Sequence, residues 1–188
     1  MIAGVFDNLF DMKFMADVES QLMHLPVTAI NVANGTGHPS GDYGTHKLMG
    51  ENIFERQSIN KVVNLMKDSE VFFDMFDHIE DHLEEKFYLE RIDFNFQHSF
   101  CDGTSHIDGH DGEYTIMYMP NMTWDTKEWG GQFQLLDDDD NVIEEHEYVP
   151  GRTLIFPSEI PHRGLGPRHP HVYRYTVVWR VKKLADFL

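Results

Sequence analysis

His106-Ile107-Asp108 sets an imidazole and a carboxylate two residues apart. In an extended strand, side chains at i and i+2 share a face, so this pair can grip one metal ion together. His78-Ile79-Glu80 offers similar letters but lies in a helical stretch, where residues two apart do not face each other, and it is set aside. A third donor, His162, follows the strand-like run Thr153-Leu154-Ile155-Phe156 and its flanking prolines. Two histidines and one carboxylate form the facial set that leaves positions open on iron(II). Further on, Arg174 heads the apolar run Arg174-Tyr175-Thr176-Val177-Val178-Trp179. A guanidinium inside such a run is costly unless an anion pairs with it. Together with Thr176 on the same face, Arg174 would seat a carboxylate by charge and hydrogen bond. The chain has twelve histidines, so chance pairs are expected, and a structural His-X-Asp or an Arg174 paired with a surface acid are the plain alternatives.

These side chains need a scaffold. Apolar residues from Leu9 to Met23 recur at helical spacing and predict a helix over 7–24, ended by Pro26. Residues 27–32 read as a strand and 34–51 as a long Gly-rich loop. A second helical stretch is expected from Ser58 to Lys86, in two pieces, with Val62, Val63, Leu65, Phe72, Phe76 and Ile79 among its apolar members. Beyond Lys86 the pattern changes to short β-branched and aromatic segments near 89–97, 104–108, 113–120, 132–136, 146–149, 153–156 and 172–181. Such spacing predicts a β-sandwich or barrel. The acidic residues 137–141 read as a solvated hairpin tip, because no EF-hand ligand spacing accompanies them.

Bulk properties narrow the function. At 188 residues the chain suits one domain with a sizeable core. A formal charge of −17 argues against direct nucleic-acid binding, which needs a basic face, and against an acidic membrane surface. An anionic small molecule remains compatible if a buried arginine supplies the local counter-charge. Apolar runs are too short for a membrane span, and residues 1–7 lack signal-peptide character. The single cysteine, Cys101, suits a reducing compartment, so a soluble cytoplasmic protein is expected.

Taken in order, His106-X-Asp108, Gly130-Gly131, His162 and Arg174-X-Thr176 resemble the 2-oxoglutarate/iron(II)-dependent oxygenases, and among them the prolyl-hydroxylase-like branch. The likeness is most detailed along Tyr118-Met119-Pro120-Asn121, Trp124 and Gly130-Gly131, and extends over roughly 90–182 with Pro150-Gly151-Arg152-Thr153-Leu154-Ile155-Phe156 before the distal histidine. It implies an α+β chain with a mainly β core, a double-stranded β-helix or jelly roll with N-terminal helices packed on one sheet. Residues 1–88 would form a mostly helical support and 89–182 the jelly-roll core of a single 1–188 oxygenase domain. His106, Asp108 and His162 would hold Fe(II), and Arg174 with Thr176 would bind the distal carboxylate of 2-oxoglutarate. Asn95 and Gln97, one strand earlier, would line the cosubstrate pocket. Tyr118 would reach the cosubstrate if Pro120 marks a bulge; an ungapped alignment instead puts Met119 at the position of the contacting tyrosine, with Tyr118 facing away.

The resemblance further implies use of dioxygen, with ascorbate as an auxiliary reductant, and hydroxylation of a substrate C–H bond as 2-oxoglutarate becomes succinate. Peptidyl proline is the first expectation for the substrate, and a free amino acid or other small molecule the alternative. Loops 34–51, with Tyr43 and His46, and 98–104 would cover the iron. Two rival readings are a non-catalytic metal-binding jelly roll and a cupin-like site, in which His98 or His110 would join as a third histidine.

Overall fold

The structure, a computed structural model, describes residues 2–27 and 49–184. Two antiparallel sheets face each other. The strands are β1 (Gly4–Phe6), β2 (Met49–Ser58), β3 (Lys61–Leu65), β4 (Phe87–Gln97), β5 (Glu113–Tyr118), β6 (Phe133–Leu136), β7 (Val142–His146), β8 (Thr153–Pro157), β9 (His162–Gly164) and β10 (Arg174–Lys183). The larger sheet runs β1-β8-β5-β10-β4-β2-β3 and the smaller β7-β6-β9. This is the double-stranded β-helix expected from the sequence, with both described helices, α1 (Met12–Leu22) and α2 (Glu70–Leu83), packed on the outer face of the large sheet.

Alternation divides that sheet. Outward-facing Ile92, Phe94, Ile116, Val177, Trp179 and Val181 join Met15, Val18 and Leu22 of α1 and Phe72, Met75 and Ile79 of α2 in one core. Each helix lays an amphipathic stripe on it. The Asp11 carboxylate caps α1 by accepting from Phe14 N at 2.8 Å, so the helix starts there rather than at residue 7. Trp179 is fully buried and donates from its indole to Phe72 O at 3.0 Å, which ties β10 to α2.

Several sequence expectations are corrected. Residues 58–65 are not helical: β2 and β3 form a hairpin, with Ser58 opposite Lys61. The apolar residues Val62, Val63 and Leu65 are exposed rather than in the core. Their β-branched types favour a strand, and pairing of β2 along β4 from Met49 to Glu55 overrides the helical spacing. The support expected up to residue 88 therefore mixes two helices with sheet. Residues 104–108 make only a bridge at His106, 147–149 lie beyond the end of β7, and β1 and β9 are additional strands. The strand expected at 27–32 and the loop at 34–51 fall largely outside the described residues, though 49–51 already belong to β2. The acidic tip forms as expected: Asp137 Oδ1 accepts from Asp139 N at 3.0 Å and Asn141 N at 2.8 Å. Among the described residues, no helix is long and apolar enough to cross a membrane.

Candidate metal and cosubstrate site

Side chains on the inner face of the large sheet, with those of β6, β8 and β9, line one cavity. His106, Asp108 and His162 meet in it, with one ligand atom from each lying within 4.8 Å of the others. The chain reaches this arrangement without a regular strand at His106. That residue exchanges both backbone hydrogen bonds with His162, at 3.1 and 2.9 Å, and Asp108 N is anchored on Ser158 O at 2.9 Å. Two pinned points thus give the shared face that strand alternation led us to expect.

The histidines are oriented from behind. His106 Nδ1 lies 2.9 Å from Thr104 O, and His162 Nδ1 lies 2.8 Å from Ile160 O. Donation to those carbonyls keeps the proton on Nδ1 and leaves each Nε2 lone pair for a metal. Both Nε2 atoms face Asp108, at 3.8 Å from Oδ1 and 3.4 Å from Oδ2. Donors about 2.1 Å from one ion stand roughly 3 Å apart when adjacent, so small adjustments would close the set on a cation. Phe133 and Phe156 pack against the His162 ring, at centroid distances of 5.5 and 4.8 Å, and wall that side from water.

Asp108 is buried yet charged. Burial alone would raise its carboxyl, but the Arg180 guanidinium, with His162 and His106 beside it, holds it well below the usual carboxylate range. Arg180 Nη2 donates to Oδ1 at 2.6 Å, and Thr115 Oγ1 donates to Oδ2 at 3.1 Å. Arg180 and Thr115 are supports that the sequence reading missed. Residues 174, 176, 178 and 180 share one strand parity, so alternation alone would have placed Arg180 on the cavity face.

Arg174 is only 3% exposed. Its Nε donates to Gly131 O at 3.0 Å and its Nη1 to Gln97 Oε1 at 2.8 Å, while Nη2 is buried without a partner. Burial pushes this guanidinium down to about 10. Such a cation is costly until an anion arrives, so the residues present fit a carboxylate ligand. Gly131, at φ +81°, lets the backbone approach: a Cβ there would come within 2.6 Å of the Trp124 ring. Trp124 packs on Tyr148, which in turn lies under the guanidinium at 5.3 Å, so the Trp124 to Gly131 segment shapes the wall of Arg174.

The remaining candidates separate clearly. Thr176 and Asn95 line the cavity. Gln97 also lines it, but as a brace: its amide nitrogen donates to Cys101 O and Gly164 O, both at 2.9 Å, while its oxygen holds Arg174. Tyr118 is corrected. No bulge shifts β5, and Tyr118 pairs in register with Val177 and Thr153. Its ring is buried in the core under α1, 5.3 Å from that of Phe10, on the far face of the sheet. Met119 does not line the cavity either; it packs with Leu154 and Tyr148. Among the described residues, His98 and His110 stay out of the metal cluster: His98 is exposed beside Cys101 Sγ, at 3.2 Å, and His110 is exposed. The cupin-like alternative therefore lacks its third histidine there.

A family model described as the 2OG-Fe(II) oxygenase superfamily matches residues 81–179, just over half of the chain. The chain belongs to that superfamily. Its members use iron(II), 2-oxoglutarate and dioxygen, and the His-Asp-His cluster stands inside the matched region. No curated protein sequence matches the chain.

Solved structures are similar in fold at low identity. A Burkholderia pseudomallei oxidoreductase of the 2OG-Fe(II) oxygenase family superposes with a TM-score of 0.67 at 16% identity, over 95% of this chain and 84% of that one. A Trichoplax adhaerens prolyl hydroxylase, solved with a hypoxia inducible factor peptide fragment, gives 0.66 at 15% identity over 97% and 84%. A Pseudomonas putida prolyl-4-hydroxylase gives 0.63 at 14% identity over 95% and 91%.

Proposed function

We propose that residues 1–188 act as one oxygenase domain that hydroxylates a C–H bond of its substrate, with peptidyl proline as that substrate. The observation that carries the reading is Arg174 Nη2, buried and unpartnered in the same cavity as His106, Asp108 and His162. A non-catalytic metal-binding jelly roll has no use for a buried cation awaiting an anion. Peptidyl proline is favoured by the prolyl-hydroxylase-like motif along Tyr118 to Gly131 and by the fold shared with two prolyl hydroxylases.

In this reading His106, Asp108 and His162 hold the metal, and Arg174 binds the distal carboxylate of 2-oxoglutarate. Thr176 offers a hydroxyl on the same face, while Asn95 lines the pocket and Gln97 fixes the guanidinium. Bound iron(II) supplies the activation of dioxygen. The balance is substrate, 2-oxoglutarate and dioxygen giving hydroxylated substrate, succinate and carbon dioxide, with one oxygen atom entering each organic product. The protein's part is to hold and orient the reactants and to exclude water. Cys101, the single cysteine, fits the reducing cytoplasm in which we place the enzyme.

Purified protein with iron(II), ascorbate and 2-oxoglutarate should release succinate, and a proline-containing peptide should gain the mass of one oxygen. Succinate release with no gain on any proline peptide would discard proline while keeping the oxygenase. Absence of succinate release across broad substrate pools would favour the binding-protein alternative.

A further inference from the structure

The segment 98–104, which leads from β4 to His106, holds one residue in a conformation that its type disfavours. Phe100 stands at φ +62°, in the left-handed region that bulky residues rarely enter, and it is 59% exposed. The loop around it is clamped. Phe100 N donates to Pro167 O and Gly103 N to Gly164 O, both at 2.8 Å. Ser99 Oγ donates to His169 O at 2.7 Å, and the Asp102 carboxylate accepts from Gly166 N at 2.9 Å and Arg168 Nη2 at 3.0 Å. Cys101 is backed so closely that a Cβ on Gly166 would come within 2.7 Å of its backbone. These polar groups are spent on residues 164–169, while the apex of the loop turns an aromatic ring to solvent.

A lone exposed apolar residue ordinarily needs no explanation. Phe100 differs in two respects. Backbone strain kept in place by a rigid surround clusters at binding and catalytic segments. Its position is the second. Gln97, which braces Arg174, and Gly103 both line the metal cavity, and Phe100 lies three residues from each. At 3.8 Å per Cα step, its Cα is within roughly 11 Å of both. The ring itself does not line the cavity. A ligand that occupies the cavity and also covers this ring extends beyond it, as a peptide does and a free amino acid does not. Asp102 and Arg168, the charged side chains of the clamp, neutralise each other at 2.9 Å, so the ring offers contact area rather than charge.

We propose that Phe100 is a specificity-determining residue, and that it seats an apolar side chain of an extended peptide, flanking the residue hydroxylated. The proposal rests on the oxygenase reading and deepens it: the substrate class is a polypeptide with an apolar residue near its target. Covering the ring removes roughly 100 Å² of apolar area from water, which supports about tenfold in affinity once the peptide's ordering is set against it.

The test uses the full chain loaded with Zn(II) and 2-oxoglutarate, so that binding is read without turnover. The probes are N-acetyl-X-Ala-Pro-Ala-X-amide and N-acetyl-X-Ala-Ala-Pro-Ala-Ala-X-amide, with X as Leu or Ser, and the same peptides with Ala in place of Pro. At one spacing or both, the Leu peptide should bind about tenfold more tightly than its Ser counterpart, with its methyl resonances shifted upfield by the ring. Both signatures should vanish in F100G and persist in F100W. Glycine adopts positive φ without strain, so F100G should fold and keep its stabilisation by 2-oxoglutarate. Four results would overturn the proposal. These are no peptide binding, no preference for Leu, a preference that survives in F100G, or loss of 2-oxoglutarate stabilisation in F100G. The last would make the ring a support of the wall formed by Gln97 and Arg174. A Leu preference of equal size with Ala at the centre would uphold the role of Phe100 and discard proline as the target. Failure of succinate release with iron(II) would sink the oxygenase reading separately, because peptide discrimination is measured here without it.

Discussion

The two faces of β10 carry the same backbone and opposite duties. Val177, Trp179 and Val181 point outward into the helix-covered core. Arg174, Thr176, Val178 and Arg180 point inward to the cavity. The outer face is stabilised by removal of apolar area from water, at roughly 25 cal/mol per Å². On the inner face, two guanidiniums each have a buried nitrogen without a partner, an arrangement that opposes folding until ligands complete it. One strand therefore separates what holds the molecule together from what the molecule waits for. Substitutions on the two faces should fail in different assays.

The largest effect belongs to the metal cluster. His106→Ala removes one donor while Asp108 keeps its bonds from Arg180 and Thr115, so the fold should survive. Succinate release should drop by a thousandfold or more, equivalent to about 4 kcal/mol, with little change in circular dichroism. Activity that persists would remove His106 from the metal. On the opposite face, Trp179→Ala should destabilise the protein by about 3–5 kcal/mol through loss of its fully buried ring. It also removes the indole bond to Phe72 O that ties β10 to α2. Denaturant unfolding would show this, and any variant protein still folded should retain metal affinity. If Trp179→Ala instead weakened metal binding at unchanged stability, the separation of the faces would be broken.

Alternation explains what was legible in the sequence. Period-two patterning placed β4, β5, β8 and β10 to within two residues at each end, and with them Arg174, Thr176 and Asn95. It failed where tertiary pairing decides the conformation. Val62, Val63 and Leu65 carry helical spacing yet form the edge hairpin, because β2 finds its partner in β4, more than thirty residues on. His106 and Asp108 share a face through two long-range anchors, His162 and Ser158, which local spacing cannot reveal. Arg180 shares the parity of Arg174 and Thr176 on β10 and was legible from it. The carbonyls behind His106 and His162 are backbone groups and leave no trace in residue types.

A smaller effect sharpens the inner face itself. Arg174→Met should raise the KM for 2-oxoglutarate by about 10- to 100-fold, or ~1.4–2.7 kcal/mol. In wild-type protein loaded with Zn(II), saturating 2-oxoglutarate should raise the melting temperature by linkage, and in the variant that rise should vanish. Equal 2-oxoglutarate affinity in the two proteins would remove Arg174 from the cosubstrate.

The smallest effect is the most discriminating about register. Tyr118 is fully buried, its hydroxyl has no hydrogen-bond partner, and burial raises its pKa above the ordinary phenol value. A buried hydroxyl without a partner bears its desolvation with no compensating bond, so removing it should be neutral or mildly stabilising. Tyr118→Phe should therefore shift unfolding free energy by less than about 0.5 kcal/mol in either direction, with the KM for 2-oxoglutarate unchanged. A register moved by one residue would turn that hydroxyl into the cavity beside Arg174, and the same substitution would then raise the KM severalfold. The Tyr118 ring packs edge-on to Phe10 at 82°, a contact that Phe retains, so core packing is held constant between the two outcomes. The KM of Tyr118→Phe thus reports which face of β5 the residue occupies, independently of how stable the variant is.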